Sequence, residues 1–190
     1  MNYLQKLLIS FSLLGLPLLL FSQHQDSLTY HKKMEWFKDA KLGIFIHWGI
    51  YAVNGIDESW AFFNRYISHE DYMKQLNGFD AKNYDPEYWA KLIKESGAKY
   101  SVITSKHHDG VALWNTKMND LSVPQKTPAN QDVLTPFVNA LRKEKLKVGL
   151  YYSLIDWSHP DYPNFVKGEP RYEKDSLRWS RFLNFYQGQM

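Results

Sequence analysis

From Thr104 to Gly110 the chain reads Thr-Ser-Lys-His-His-Asp-Gly, placing an ammonium, two imidazoles and a carboxylate on consecutive residues after the run Tyr100-Ser101-Val102-Ile103. A folding core gains little from that density of titratable groups, because burying a charged form costs desolvation energy. A ligand site uses them as donors, acceptors and acid–base groups. Two other apolar runs end alike: Ile44-Phe45-Ile46 leads into His47-Trp48-Gly49, and Val148-Gly149-Leu150 leads into Tyr151-Tyr152-Ser153. Three apolar strands ending in polar or aromatic side chains match the way a parallel α/β barrel assembles its active site.

Each candidate has a structural reading beside the functional one. His47, with the Trp48 indole as a wall, could meet a ligand hydroxyl or be a satisfied core histidine; the two further strand ends tip the balance to the ligand. On a regular strand His107 and His108 would point to opposite faces, which disfavours one shared metal ion unless the strand has already bent; Asp109 could add a third ligand. Two polar ring contacts to a sugar explain them better; the structural reading is one core and one ligand histidine. Lys106 could pair with a nearby acid, and Asp109-Gly110 could be a turn. Glu58, beside Ser59 and Trp60, is either a hydroxyl-binding or acid–base carboxylate, its pKa raised by an apolar wall, or a solvated loop acid. One of Tyr151 and Tyr152 must face the ligand side. Asp156, followed by Trp157, is either an acid–base group or a turn or helix cap. Aromatics, imidazoles and carboxylates without a metal motif suggest glycoside chemistry, which needs two carboxylates ~5–5.5 Å apart in retaining enzymes; spacing alone places neither.

The elements that would position these residues alternate. Met34-Glu35-Trp36-Phe37 could begin a short helix. Residues 42–48 read as a strand buried on both faces, as in a parallel sheet. Asp85-Pro86-Glu87 gives a cap, a first-turn proline and a first-turn acid; Trp89, Leu92 and Ile93 continue the helix, and Gly97 ends it. Strands over 100–104 and 147–153 flank a helix over 133–144, and another helix opens near Asp175. The order is β-α-β-α-β-α with long loops only after strands, which puts the elaborated loops on one face. This predicts the N-terminal portion of a (β/α)8 TIM-like barrel, incomplete in this chain, because a whole barrel takes ~250 residues.

The 190 residues suggest one domain or part of one. Aromatics make up 16%, compatible with stacking on sugar faces and equally with a large core. A net charge of +3 with lysines scattered among acids disfavours nucleic acid. Cysteine is absent, which removes disulfides, thiol nucleophiles and lipidation at a lipobox. No glycine-rich phosphate loop follows a strand, and no cofactor is expected. Leu7 to Phe21 is an apolar run of about 15 residues after Lys6, short of the ~20 that span a bilayer. It reads as a signal peptide over residues 1–22, so the chain is expected to be exported, periplasmic or extracellular, without stable membrane insertion; an uncleaved anchor is the alternative.

The run Lys41-Leu42-Gly43-Ile44-Phe45-Ile46-His47-Trp48-Gly49-Ile50-Tyr51 resembles the first strand of the α-L-fucosidases of glycoside hydrolase family 29. Thr104 to Gly110, followed by Leu113-Trp114, resembles the family's histidine pair, and Val148-Gly149-Leu150-Tyr151-Tyr152-Ser153 its third motif. The resemblance covers roughly residues 30–160. It implies that residues 23–190 are the N-terminal part of a catalytic barrel acting on fucosylated glycans, with retaining hydrolysis of terminal α-L-fucose. It also implies that His47, His107, His108 and Tyr151 contact the fucose hydroxyls, with Glu58 and Trp60 from the first loop. In the family the Glu and Trp are often directly joined; here Ser59 separates them. The nucleophilic Asp and the acid/base of the family would fall beyond Met190.

Two other readings remain: a non-catalytic fucose-binding or vestigial fragment, and a metal-dependent barrel hydrolase using His47, His107 and Asp109. The 190 residues alone are expected not to hydrolyse fucosides. Turnover of an aryl α-L-fucoside by the pure chain, abolished in His47→Ala, would overturn that expectation.

Overall fold

The computed structural model describes residues 29–163 and 175–190. The expected signal peptide, and part of the loop that follows the third strand, lie outside the described residues. Among the described residues no helix is long and apolar enough to cross a membrane.

Residues 29–40 form helix α1, which starts five residues before the Met34 expected from the sequence. It lies in a unit ending at Lys41, distinct from Leu42–Met190.

The second unit is built on three parallel strands, β1 (Gly43–Ile46), β2 (Tyr100–Lys106) and β3 (Lys147–Tyr152), in spatial order β1-β2-β3. Gly43 pairs with Tyr100, which pairs with Lys147. Between the strands lie α4 (Pro86–Glu95) and α6 (Leu134–Lys143), and after them α7 (Ser176–Gln189). The loop after β1 carries α2 (Trp60–Phe63), α3 (His69–Met73) and two 3₁₀ turns; the loop after β2 carries α5 (Val123–Lys126). The fold is mixed α/β around a small parallel sheet.

The helix ends follow their local chemistry. Asp85 accepts from the Tyr88 N–H ahead of Pro86, and Asp175 accepts from the Arg178 N–H to open α7. These contacts satisfy donors that the first turn leaves orphaned. Gly97 follows the end of α4 at φ +85°, a conformation that costs other residues energy.

One sheet face is covered. Ile44, Ile46, Ile103 and Val148 pack with Ile93 of α4 and Phe137, Ala140 and Leu141 of α6 in a single apolar cluster. Trp89 meets Phe137 edge-on at 6.3 Å, and Lys143 pairs with Glu87 at 2.5 Å between the same two helices.

Three sequence expectations need correction. The first strand is four residues long rather than seven, because the Trp48 N–H turns away to Thr104 Oγ1 at 2.7 Å. Nor is it buried on both faces: Phe45 is 51% exposed, since both covering helices lie on the opposite side. The second strand runs two residues past Thr104, through a register irregularity between Thr104 and Lys106.

Phe137 is fully buried in the cluster, so Phe137→Ala should cost ~3–5 kcal/mol, whereas Asp85→Ala should cost ~0.5–2 kcal/mol. Urea unfolding of both variants checks the order, and equal losses would mean that Phe137 does not anchor the core.

Candidate functional site

The polar strand ends meet at the carboxyl edge of the sheet. Because β2 stops at Lys106, His107 and His108 do not alternate as on a strand. Their rings lie side by side with centroids 4.2 Å apart, correcting the expectation of opposite faces. His47 stands edge-on to His107 at 5.1 Å, and Tyr151 stacks on His107 at 5.8 Å. Tyr151 also meets His47 at 6.4 Å. Tyr152 points elsewhere, its hydroxyl donating to Gln189 Oε1 at 2.6 Å.

Each imidazole is held through Nδ1, two of them by neighbours in the loop after β1 and the third by the first residue after β3. His47 pairs with Glu58 Oε1 at 2.8 Å, which gives Glu58 a partner and removes the solvated-acid reading. His107 meets Ser59 Oγ at 2.6 Å, and His108 meets Ser153 Oγ at 2.5 Å. Ser59 therefore separates Glu58 from Trp60 in order to reach His107. Trp60 stands edge-on to His108 at 5.7 Å and to Trp157 at 5.1 Å. Trp157 stacks on Phe63 at 4.3 Å and 19°, closing an aromatic wall.

Burial decides the charge states. Desolvation, with His108 and His47 adding repulsion, lowers the His107 pKa to about 3. Desolvation followed by Lys106 lowers that of His108. Both rings are therefore neutral at neutral pH. A base whose folded pKa is lowered adds stability that is complete above its unfolded value and is lost as pH falls toward the folded one. For His107 that window runs from 6.5 down to about 3.

The Asp109 carboxylate is bonded to groups other than the imidazoles. Tyr72 of α3 donates its hydroxyl to Oδ2 at 2.7 Å, and the Val111 N–H donates to Oδ1 at 3.0 Å. Asp109 lies in the turn that the sequence allowed, closed by the Gly110 N–H on the His107 carbonyl at 3.1 Å, with its carboxylate bonded away from the imidazoles. Burial raises its pKa to about 6, so its ionisation weakens the fold as pH rises from 3.8 through about 6. Among the described residues no group of three His, Asp or Glu side chains could hold a metal ion.

Lys106 and Asp156 form a buried pair at 2.8 Å, with side-chain exposures of 1% and 2%. Asp156 Oδ1 also accepts from the Ser158 and His159 N–H groups. Asp156 is thus the turn cap that the sequence left open against an acid–base role, and Lys106 has the acid partner expected of it. The ammonium lies over the Tyr152 ring at 4.7 Å. Gly110, at φ +80°, passes so close that a Cβ there would lie 2.6 Å from Asp156 Oδ1. The Trp157 N–H donates to the His108 carbonyl at 2.8 Å, tying the loop after β3 to the imidazole pair.

The parts that sequence reasoning missed are the anchors. Ser153 had a signal as the polar residue closing an apolar strand. Tyr72, 37 positions from Asp109, had none.

The family model described as Alpha-L-fucosidase matches residues 19–190. The tissue alpha-L-fucosidase of Macaca fascicularis is 32% identical over 164 residues, 77% of this chain and 34% of that protein. Alpha-L-fucosidase isoenzyme 1 from Paenibacillus thiaminolyticus aligns with a TM-score of 0.72 and 39% identity over 84% of this chain and 39% of its own. An alpha-L-fucosidase from Bacteroides thetaiotaomicron, trapped as a covalent intermediate with 2-fluoro-fucosyl fluoride, aligns with a TM-score of 0.70 and 36% identity over 80% of this chain and 36% of its own. The chain spans about a third of the length of the curated relatives that it matches.

Removing one partner of the buried pair strands the other charge. Lys106→Met should therefore destabilise by ~3–5 kcal/mol, and adding Asp156→Leu should recover part of that loss. Chemical denaturation of the single and double variants checks this; strictly additive losses would show that the two side chains do not act as a pair.

Proposed function

The chain belongs to the α-L-fucosidase family, and on that premise we propose that it is the N-terminal, fucose-holding part of the (β/α)8 catalytic barrel of a retaining, exo-acting α-L-fucosidase. The substrate class is terminal α-L-fucose on glycoconjugates or oligosaccharides. The observation that carries the reading is the convergence of His47, His107, His108 and Tyr151 from three strand ends, each imidazole fixed from behind at Nδ1. Side chains held that way keep Nε2 for a ligand, and preorganised donors and acceptors lose little entropy on binding.

In this reading the imidazoles and the Tyr151 hydroxyl bind the sugar's hydroxyls. Glu58 orients His47, and Trp60 with Trp157 offers an apolar wall to the deoxy-sugar's methyl edge. The trapped intermediate of the Bacteroides thetaiotaomicron relative supports the retaining course. The apolar run Leu7 to Phe21 supports export.

Calorimetric titration of the full chain with L-fucose tests the reading. Saturable binding is expected, and His47→Ala and Tyr151→Ala should each weaken it about tenfold, equivalent to ~1.4 kcal/mol. Affinity unchanged in both variants, or no saturable binding by the folded chain, would overturn the assignment of these residues to the sugar.

A further inference from the structure

His107 and His108 are adjacent, neutral and each bonded to a serine hydroxyl, yet the two serines are not in the same situation. A hydroxyl has one proton to give. Ser153 Oγ gives its proton to the Ile155 carbonyl at 2.7 Å. Its contact with His108 Nδ1 at 2.5 Å must then run the other way, with Nδ1–H donating. That leaves Nε2 of His108 as a bare acceptor.

Ser59 is fully buried, and among the described residues the side-chain partner of its hydroxyl is His107 Nδ1 at 2.6 Å. A buried hydroxyl with no acceptor loses a hydrogen bond and is not repaid by water. Satisfying Ser59 sends its proton to Nδ1 of His107, so His107 carries its own proton on Nε2. The hydrogen-bond network therefore assigns the neighbouring rings opposite tautomers. Among the described residues neither Nε2 has a protein partner.

We propose that Ser59 and Ser153 set this opposition, making His107 a donor and His108 an acceptor toward two hydroxyls of the bound sugar. This rests on the sugar-binding reading above and deepens it. Two like tautomers would present the same atom type twice. Opposed tautomers fit a directional chain, in which one hydroxyl accepts from His107 Nε2–H and another donates to His108 Nε2. A sugar carrying fluorine in place of a hydroxyl can still accept weakly but can no longer donate. The pair thus discriminates by direction as well as by position. Ser59 and Ser153 touch the histidines and not the sugar, so they are positioning residues.

The test is nitrogen-15 imidazole NMR on the histidine-labelled full chain, followed by titration with L-fucose and its singly fluorinated analogues. His107 should show Nε2–H and His108 Nδ1–H. Ser153→Ala should move His108 toward the Nε2–H form and weaken L-fucose binding about tenfold, while leaving the His107 tautomer in place. Ser153→Thr, which keeps the hydroxyl, should restore both. One fluorinated analogue should lose affinity at least tenfold more than its neighbour. The same tautomer on both rings, or a His108 tautomer indifferent to Ser153→Ala, overturns the proposal. Equal losses across the analogues overturn the directional role. Correct tautomers without any L-fucose binding would instead sink the sugar-binding reading while leaving the serine assignment intact.

Discussion

The contact between Lys106 and Asp156 constrains everything at the carboxyl edge of the sheet. An ammonium and a carboxylate removed from water recover their desolvation cost only when the geometry is good and further hydrogen bonds fill the remaining positions. Here the second carboxylate oxygen takes two backbone N–H groups, and the ammonium lies over an aromatic ring. Those extra contacts make the pair directional. It joins the last residue of β2 to the loop after β3 at one spacing, and Gly110 must remain without a side chain for the loop to sit there. The Trp157 N–H on the His108 carbonyl follows from that placement.

Crowding then determines what the imidazoles can be. The His107 ring lies 4.2 Å from that of His108 and 5.1 Å from that of His47, and burial among them opposes its protonation. A charged imidazole is a donor at both nitrogens; a neutral one must choose. By suppressing the charge on His107 and His108, the site turns each of these two into a two-state element whose state is read from its Nδ1 partner. The two serines are consequential for that reason.

Much of this was legible in the sequence, and for identifiable reasons. Apolar runs with a polar terminus gave the three strands and all three imidazoles, because parallel strands under helices leave that pattern. Asp85-Pro86 and Gly97 marked a helix at both ends because capping is local chemistry. What escaped was either non-local or irregular. The break after Lys106 puts His107 and His108 together, and strand periodicity has no term for such a break. Tyr72 reaches Asp109 from a loop helix far along the chain. The open face at Phe45 could not be foreseen either: an unbroken apolar run has the same letters whether one face or both are covered. Asp156 shows the limit most clearly, since a carboxylate after a strand reads equally well as acid, base or cap until its partners are known.

The division of labour among the carboxylates follows from those partners. Displacement at a glycosidic carbon needs a carboxylate oxygen aimed at the carbon and a second group able to exchange a proton with the leaving oxygen. Asp156 has given one oxygen to Lys106 and the other to backbone N–H groups. Asp109 has given both of its oxygens to Tyr72 and Val111, on a side chain 1% exposed. Glu58 retains accessible surface, yet Oε1 is bound to His47. Three carboxylates stand near the imidazoles, and each is engaged in holding something else in place. Behind the imidazoles, Glu58, Ser59 and Ser153 hold the rings of His47, His107 and His108 through Nδ1, while Asp109 and Asp156 hold the loops around them.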